Sequence, residues 1–168
     1  MAYLLDSNVF IQAKNLHYGM DFCPAFWEWL VNQNKAGNVF SIEKIADELA
    51  AGEDDLSQWA RPRGADFFLP PDDALLDALQ RVSQWVTTQQ YASAAVSTFF
   101  QVADYYLVAH ALAHNHVVVT HEVPSDGTRK VKIPNVCIGL KIKFMSPYEM
   151  LRTERARFIL VPHSEVRT

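Results

Sequence analysis

The chain opens on a short apolar run, Tyr3-Leu4-Leu5, that stops abruptly at Asp6, and a new apolar-periodic segment begins within two residues. This pattern predicts a buried strand with Asp6 at its carboxyl tip, then a helix over 8–14 capped by Ser7 or Asn8. Phe26, Trp27, Leu30 and Val31 recur at helical spacing, which predicts a helix over 22–35 ended by Gly37-Asn38. Ser41 opens a helix over 42–51 that stops at Gly52, and an acidic turn at 53–55 leads to a short segment holding Leu56 and Trp59. Pro62, Gly64 and Pro70-Pro71 mark a loop region, interrupted by a strand at 66–69. Asp72 or Asp73 caps a long helix reaching Thr88, with Leu75, Leu76, Leu79, Val82 and Val86 along one stripe. Residues 91–100 are rich in small side chains and fit helix, or helix plus loop. A helix over 102–114 precedes a β-branched strand at 117–120. Residues 122–134 are polar and hold Pro124, Asp126-Gly127 and three basic residues, the pattern of an exposed loop. A last strand over 141–145 and a last helix over 147–157 follow. Strands separated by helices predict an α/β fold with a mainly parallel central sheet and helices on both faces.

Bulk properties narrow the function classes. A length of 168 residues fits one domain, taken as 1–160, with a polar and flexible tail at 161–168. Apolar residues make up 49% and charged residues 20%, which excludes a disordered chain. No apolar run approaches the roughly 20 residues that span a bilayer. The amino terminus lacks a basic, then apolar, then small-residue leader. A cytoplasmic protein with no membrane partner is therefore expected. Cys23 and Cys137 belong to no CxxC pair and fit two reduced thiols. The net charge of −4 excludes a broad, non-specific DNA coat but permits a local basic patch.

Carboxylates recur at corresponding places. In open parallel sheets the ligand crevice lies outside the carboxyl ends of the strands, which is where Asp6 falls. Asp104 sits in the first turn of its helix, and Leu107, Val108 and Ala111 follow at i+3, i+4 and i+7, so it shares their inward face. Glu48 lies beside the seam marked by Ile45 and Leu49. Glu122 comes two residues past Thr120, beyond the strand at 117–119, and repeats the arrangement of Asp6. Each has a plainer alternative: Asp6 and Asp104 as helix caps, Glu48 as a solvated helix residue. Four acids on one side of a sheet are harder to explain by capping alone. Two like charges about 4 Å apart repel by roughly 4 kcal/mol at an effective dielectric of 20. Such a group protonates or recruits a cation. Oxygen donors suit Mg²⁺ or Mn²⁺ better than zinc, and phosphodiester hydrolysis is the natural chemistry of such a site.

These residues resemble a known family. Leu-Leu-Asp6-Ser-Asn8-Val, Glu48-Leu-Ala-Ala-Gly52, Ala103-Asp104 at the head of a helix and Val-Val-Thr120-His-Glu122 resemble the four acidic motifs of PIN-domain ribonucleases. The likeness runs in order from residue 3 to about residue 145. The segments beginning at Asp21 (Asp-Phe-Cys-Pro-Ala-Phe-Trp) and at Lys132 (Lys-Ile-Pro-Asn-Val-Cys) resemble a PIN-like subfamily of prokaryotic proteins. The resemblance implies a three-layer α/β/α sandwich and Mg²⁺- or Mn²⁺-dependent cleavage of RNA. Many relatives are VapC-type toxins of toxin–antitoxin pairs, silenced by an antitoxin protein and often homodimeric. On this likeness Asp6, Glu48 and Asp104 match the first three acids, and Asn8 and Thr120 match the polar residues that accompany them. Glu43 is a rival for the second place; Leu49 and Gly52 favour Glu48. The fourth position departs from the pattern, with Glu122 where Asp is usual, and the extra methylene moves the oxygens.

Rival constellations are weaker. His110 and His114 stand four apart, a spacing that can bind zinc, yet the glutamate of an HExxH site is missing. A receiver-like phosphoacceptor domain wants paired acids after its first strand, and only Asp6 stands there. A PIN-like interaction module with a decayed metal site is the stronger non-enzymatic alternative. Arg129, Lys130 and Lys132, with Lys141 and Lys143, are the candidates for an RNA backbone contact, against the alternative of a solvated loop.

Overall fold

The computed structural model describes residues 1–161, so the tail expected at 161–168 lies, apart from its first residue, outside the described residues. Five strands form one all-parallel sheet in the order β3-β2-β1-β4-β5: β1 (Tyr3–Leu5), β2 (Val39–Ile42), β3 (Phe68–Leu69), β4 (Val117–Val119) and β5 (Phe144–Met145). Helices flank the sheet and make a three-layer α/β/α sandwich. β1 is central, with Tyr3 beside both Val39 and Val117. β1 and β4 are buried at every position, as expected of parallel strands covered on both faces. The chain builds outward from β1 through β2 to β3, then returns to lay β4 on the other side of β1. The order therefore reverses between β1 and β4, and in such sheets the crevice at that reversal is where ligands bind.

The helices are α1 (Ser7–Gln12), α2 (Pro24–Lys35), α3 (Glu43–Ala50), α4 (Asp55–Ala60), α5 (Gly64–Phe67), α6 (Asp73–Thr88), α7 (Ser93–Gln101), α8 (Ala103–His114), α9 (Ile133–Leu140) and α10 (Pro147–Thr153). One hydrophobic cluster joins them to the sheet; Leu4, Leu5, Phe10, Phe26, Leu30, Ile45, Leu107, Ile133 and Met150 are fully shielded. The rings of Phe10, Trp59 and Phe67 meet within it, with centroids 5.4–6.1 Å apart.

Several local expectations are corrected. Ser41 opens no helix: β2 runs to Ile42, and the Ser41 hydroxyl donates instead to the Leu5 carbonyl at 2.7 Å. Residues 64–67 are a short helix, so the strand there shrinks to Phe68–Leu69. The polar stretch 122–134 is not wholly exposed, because Val131 is buried and α9 starts at Ile133 with Pro134 in its first turn. Leu76 points outward, and the buried stripe of α6 is Leu75, Ala78, Val82 and Val86. Helix α1 passes into a π-helical turn, Ala13–His17. Gly37 closes α2 at φ +81°, a conformation that glycine adopts without strain.

Candidate active site

Asp6 ends β1 and caps α1 in the same step, so capping and crevice roles coincide, and neither Ser7 nor Asn8 is the cap. Its Oδ1 accepts the Ser7 N–H at 2.7 Å, and its Oδ2 accepts the Thr120 hydroxyl at 2.8 Å from the end of β4. Only 4% of Asp6 is exposed. The Asn8 amide donates to Thr120 Oγ1 at 3.3 Å, while its Oδ1 accepts the His121 N–H at 3.2 Å. Thr120 Oγ1 also accepts the Glu122 N–H at 3.1 Å. One network thus locks the carboxyl tips of β1 and β4 together and fixes the Asp6 carboxylate at the reversal point of the sheet.

Asp104 enters this region from the first turn of α8, half-buried. Helix α3 packs against α8, and Lys44 lies over the Tyr106 ring at 4.1 Å from its centroid. Glu48 follows one turn along α3 and is exposed. Electrostatics tie the acids together. Burial pushes the Asp6 carboxyl up to about 6, opposed by the Thr120 hydrogen bond and reinforced by the charges of Glu122 and Glu48. Burial, then the charges of Asp6 and Glu122, push Asp104 up to about 7.

Glu122 is differently employed. Its Oε1 accepts from Lys130 Nζ at 3.1 Å, and its Oε2 accepts the Ile133 N–H at the head of α9 at 3.0 Å. The carboxylate therefore caps a helix and pairs with a cation at once, and Lys130 is held above its ordinary value chiefly by that bond. Among the described residues no three His, Cys, Asp or Glu side chains stand close enough to hold one metal ion together. Asp6 and Asp104 feel the charges of Glu122 and Glu48, yet the four acids do not form a finished coordination shell.

Arg129 and Lys130 are exposed and Lys132 is half-buried, and of these three expected RNA-contacting cations Lys130 is paired with Glu122. His110 is buried and pushed down to about 4 by desolvation, and His114 pairs with Asp72 at 2.6 Å. His114 is thus employed in an ion pair on the α6 side, and His110 is packed in the interior of α8.

Sequence pattern alone missed the pairing of Lys130 with Glu122, the Ser41 bond to β1, and a contact between His17 and Tyr148. The Tyr148 hydroxyl lies 2.9 Å from His17 Nε2 and joins the π-helical turn to α10 beside the ring of His121. The alternation of Lys130, Val131, Lys132 and Ile133 was the one available signal that this loop is anchored.

Fold and site define a parallel α/β protein with a buried carboxylate, Asp6, at its topological switch point and a half-buried one, Asp104, that feels the charge of Asp6. The chain belongs to the family described as a domain of unknown function, DUF4411, which it matches over residues 3–158. Searches of curated proteins and of solved structures found no match. Among the described residues no helix is long and apolar enough to cross a membrane.

Proposed function

We propose that the chain is a divalent-cation-dependent endoribonuclease of the PIN type, with Asp6, Glu48, Asp104 and Glu122 surrounding Mg²⁺ or Mn²⁺. The observation that carries this reading is the coupling of Asp6 and Asp104, both poorly solvated, at the switch point of a parallel sheet. Desolvated like charges are relieved by a cation, and all-oxygen donors favour hard ions. Asp6 Oδ2 retains capacity for one, since it accepts only the Thr120 hydroxyl, whereas Oδ1 accepts both the N–H and, at 3.5 Å, the hydroxyl of Ser7. A bound ion would activate water and stabilise an in-line displacement at phosphorus. Asn8 and Thr120 hold Asp6 in a fixed orientation, and Asp104 and Glu48 have to turn inward when the ion arrives. The likeness to VapC-type proteins extends the proposal to a toxin of a type II pair, cytoplasmic, restrained by an antitoxin protein and acting as a homodimer.

A second reading has its own support. Both Glu122 oxygens are engaged, and among the described residues no three ligands converge, which favours a non-catalytic interaction module. Purified protein separates the two. The nuclease reading expects RNA cleavage with Mg²⁺ or Mn²⁺, none with chelator, and a loss of about 100-fold or more in Asp6→Asn and Asp104→Asn. Circular dichroism should show both variants folded. Manganese should also raise the melting temperature of the wild type by linkage. Cleavage that persists unchanged in the double variant rejects the assignment.

A further inference from the structure

A pocket of about 160 Å³ opens between α7 and residues 129–131, with Asp104 on its inner wall. Ala95 and Phe99 of α7, with Val131 opposite, give it an apolar floor, and all three are buried. Ala94 and Thr98, one helical turn apart and exposed, form the outer wall. Arg129 and Lys130 stand at the mouth. The wall is built into the fold: Val131 anchors the segment in the core, and the Ala92 N–H donates to the Thr128 carbonyl at 2.9 Å. Lys130 reaches from this rim to Glu122, so the pocket and the acidic site share an edge. Among the described residues Arg129 forms no salt bridge.

We infer that this pocket is a base-binding subsite, which takes one nucleobase of a single-stranded RNA while Arg129 holds the attached phosphate. The chemistry selects the ligand from three sides. A cavity of about 160 Å³ walled by Ala95, Phe99, Val102 and Val131 offers apolar surface and room for a single ring system. A guanidinium at the rim suits a phosphate oxygen. Asp104 on the inner wall would lie against the seated base, and the phosphate would sit at the rim, where Lys130 joins the pocket to Glu122 of the acidic site. The inference rests on the ribonuclease reading for its biological meaning, yet binding itself needs neither metal nor turnover.

The test uses the full chain with chelator present. Adenosine, cytidine, guanosine and uridine 5′-monophosphates, with ribose 5-phosphate as the probe lacking a base, are titrated by calorimetry. At least one nucleotide should bind about tenfold or more tightly than ribose 5-phosphate. Thr98→Trp, which fills the slot from its exposed wall, should erase that preference, and Ala94→Trp serves as a second blocking variant. Arg129→Ala should weaken nucleotides and ribose 5-phosphate alike by about three- to tenfold. Nucleotides that bind no better than ribose 5-phosphate overturn the inference, as does a preference that survives both blocking variants in folded protein. Nucleotide preference without any RNA cleavage upholds the pocket and sinks the nuclease. Cleavage without base preference does the reverse.

Discussion

Asp104 shows what the site costs the fold. Its carboxyl is raised from 3.8 to about 7, by burial first and by Asp6 and Glu122 after it. A group whose folded value is raised contributes stability that is complete below its unfolded value and lost as pH rises through the folded one. At pH 8, without an ion, the charged form therefore works against folding. Replacing it with a neutral isostere should stabilise the chelated protein, although activity is lost. Urea unfolding of Asp104→Asn in chelator at pH 8 should give a gain of about 1–2 kcal/mol, discounted for the side chain's partial exposure. The gain should vanish near pH 4. An Asn variant less stable than wild type at pH 8 would mean that the carboxylate is satisfied by contacts the present geometry lacks. At this scale the positions of Asp6, Asp104 and Glu122 were legible from strand ends and helix starts. Their partners were not. That Lys130 answers Glu122, and that Thr120 joins the Ser7 N–H in satisfying Asp6, depends on contacts between residues 8 and 114 positions apart.

The elements that pattern missed were hidden by local ambiguity. Strand β2 spans four residues and runs directly into α3, so Ser41 looked like a helix cap; its hydroxyl instead bonds the neighbouring strand. Helix α9 carries Pro134, which reads as a breaker but is tolerated in a first turn, and it is too apolar to show a polar face. Helices α6 and α8, each with inward apolar positions at helical spacing, were legible within two residues. The hidden helix is held by a close approach. A methyl group on Gly139 would overlap the Trp85 indole of α6, so the absence of a side chain there lets α9 settle on α6. Gly139→Ala should cost about 1–3 kcal/mol by overpacking, less the small gain in helix propensity. Trp85→Ala should relieve most of the penalty in the double variant. A double-mutant cycle measured by urea unfolding checks both statements, and additive effects would show that the indole is not the obstacle.

Across the whole molecule, buried His110 and Asp6 and half-buried Asp104 pull stability in opposite directions. His110, pushed down to about 4, contributes stability that is complete above its ordinary value of 6.5 and lost as pH falls toward 4. Asp6 and Asp104, raised to about 6 and about 7, contribute stability that is complete below 3.8 and lost as pH rises through those values. The chelated protein should therefore be most stable near pH 5–6, with a melting temperature that declines toward pH 8. The alkaline decline belongs to the acids at the switch point, since the histidine is neutral in both states there. An ion that neutralises them must abolish it. Thermal unfolding from pH 5 to 8, with chelator and then with excess Mn²⁺, should show the decline in the first series and a flat or rising profile in the second. A decline that manganese leaves untouched would mean that the acids repel without gathering an ion, and the non-catalytic reading would prevail. A chelated profile that is flat from pH 6 to 8 would mean that Asp6 and Asp104 are solvated or paired, and the physical basis of the site would be lost.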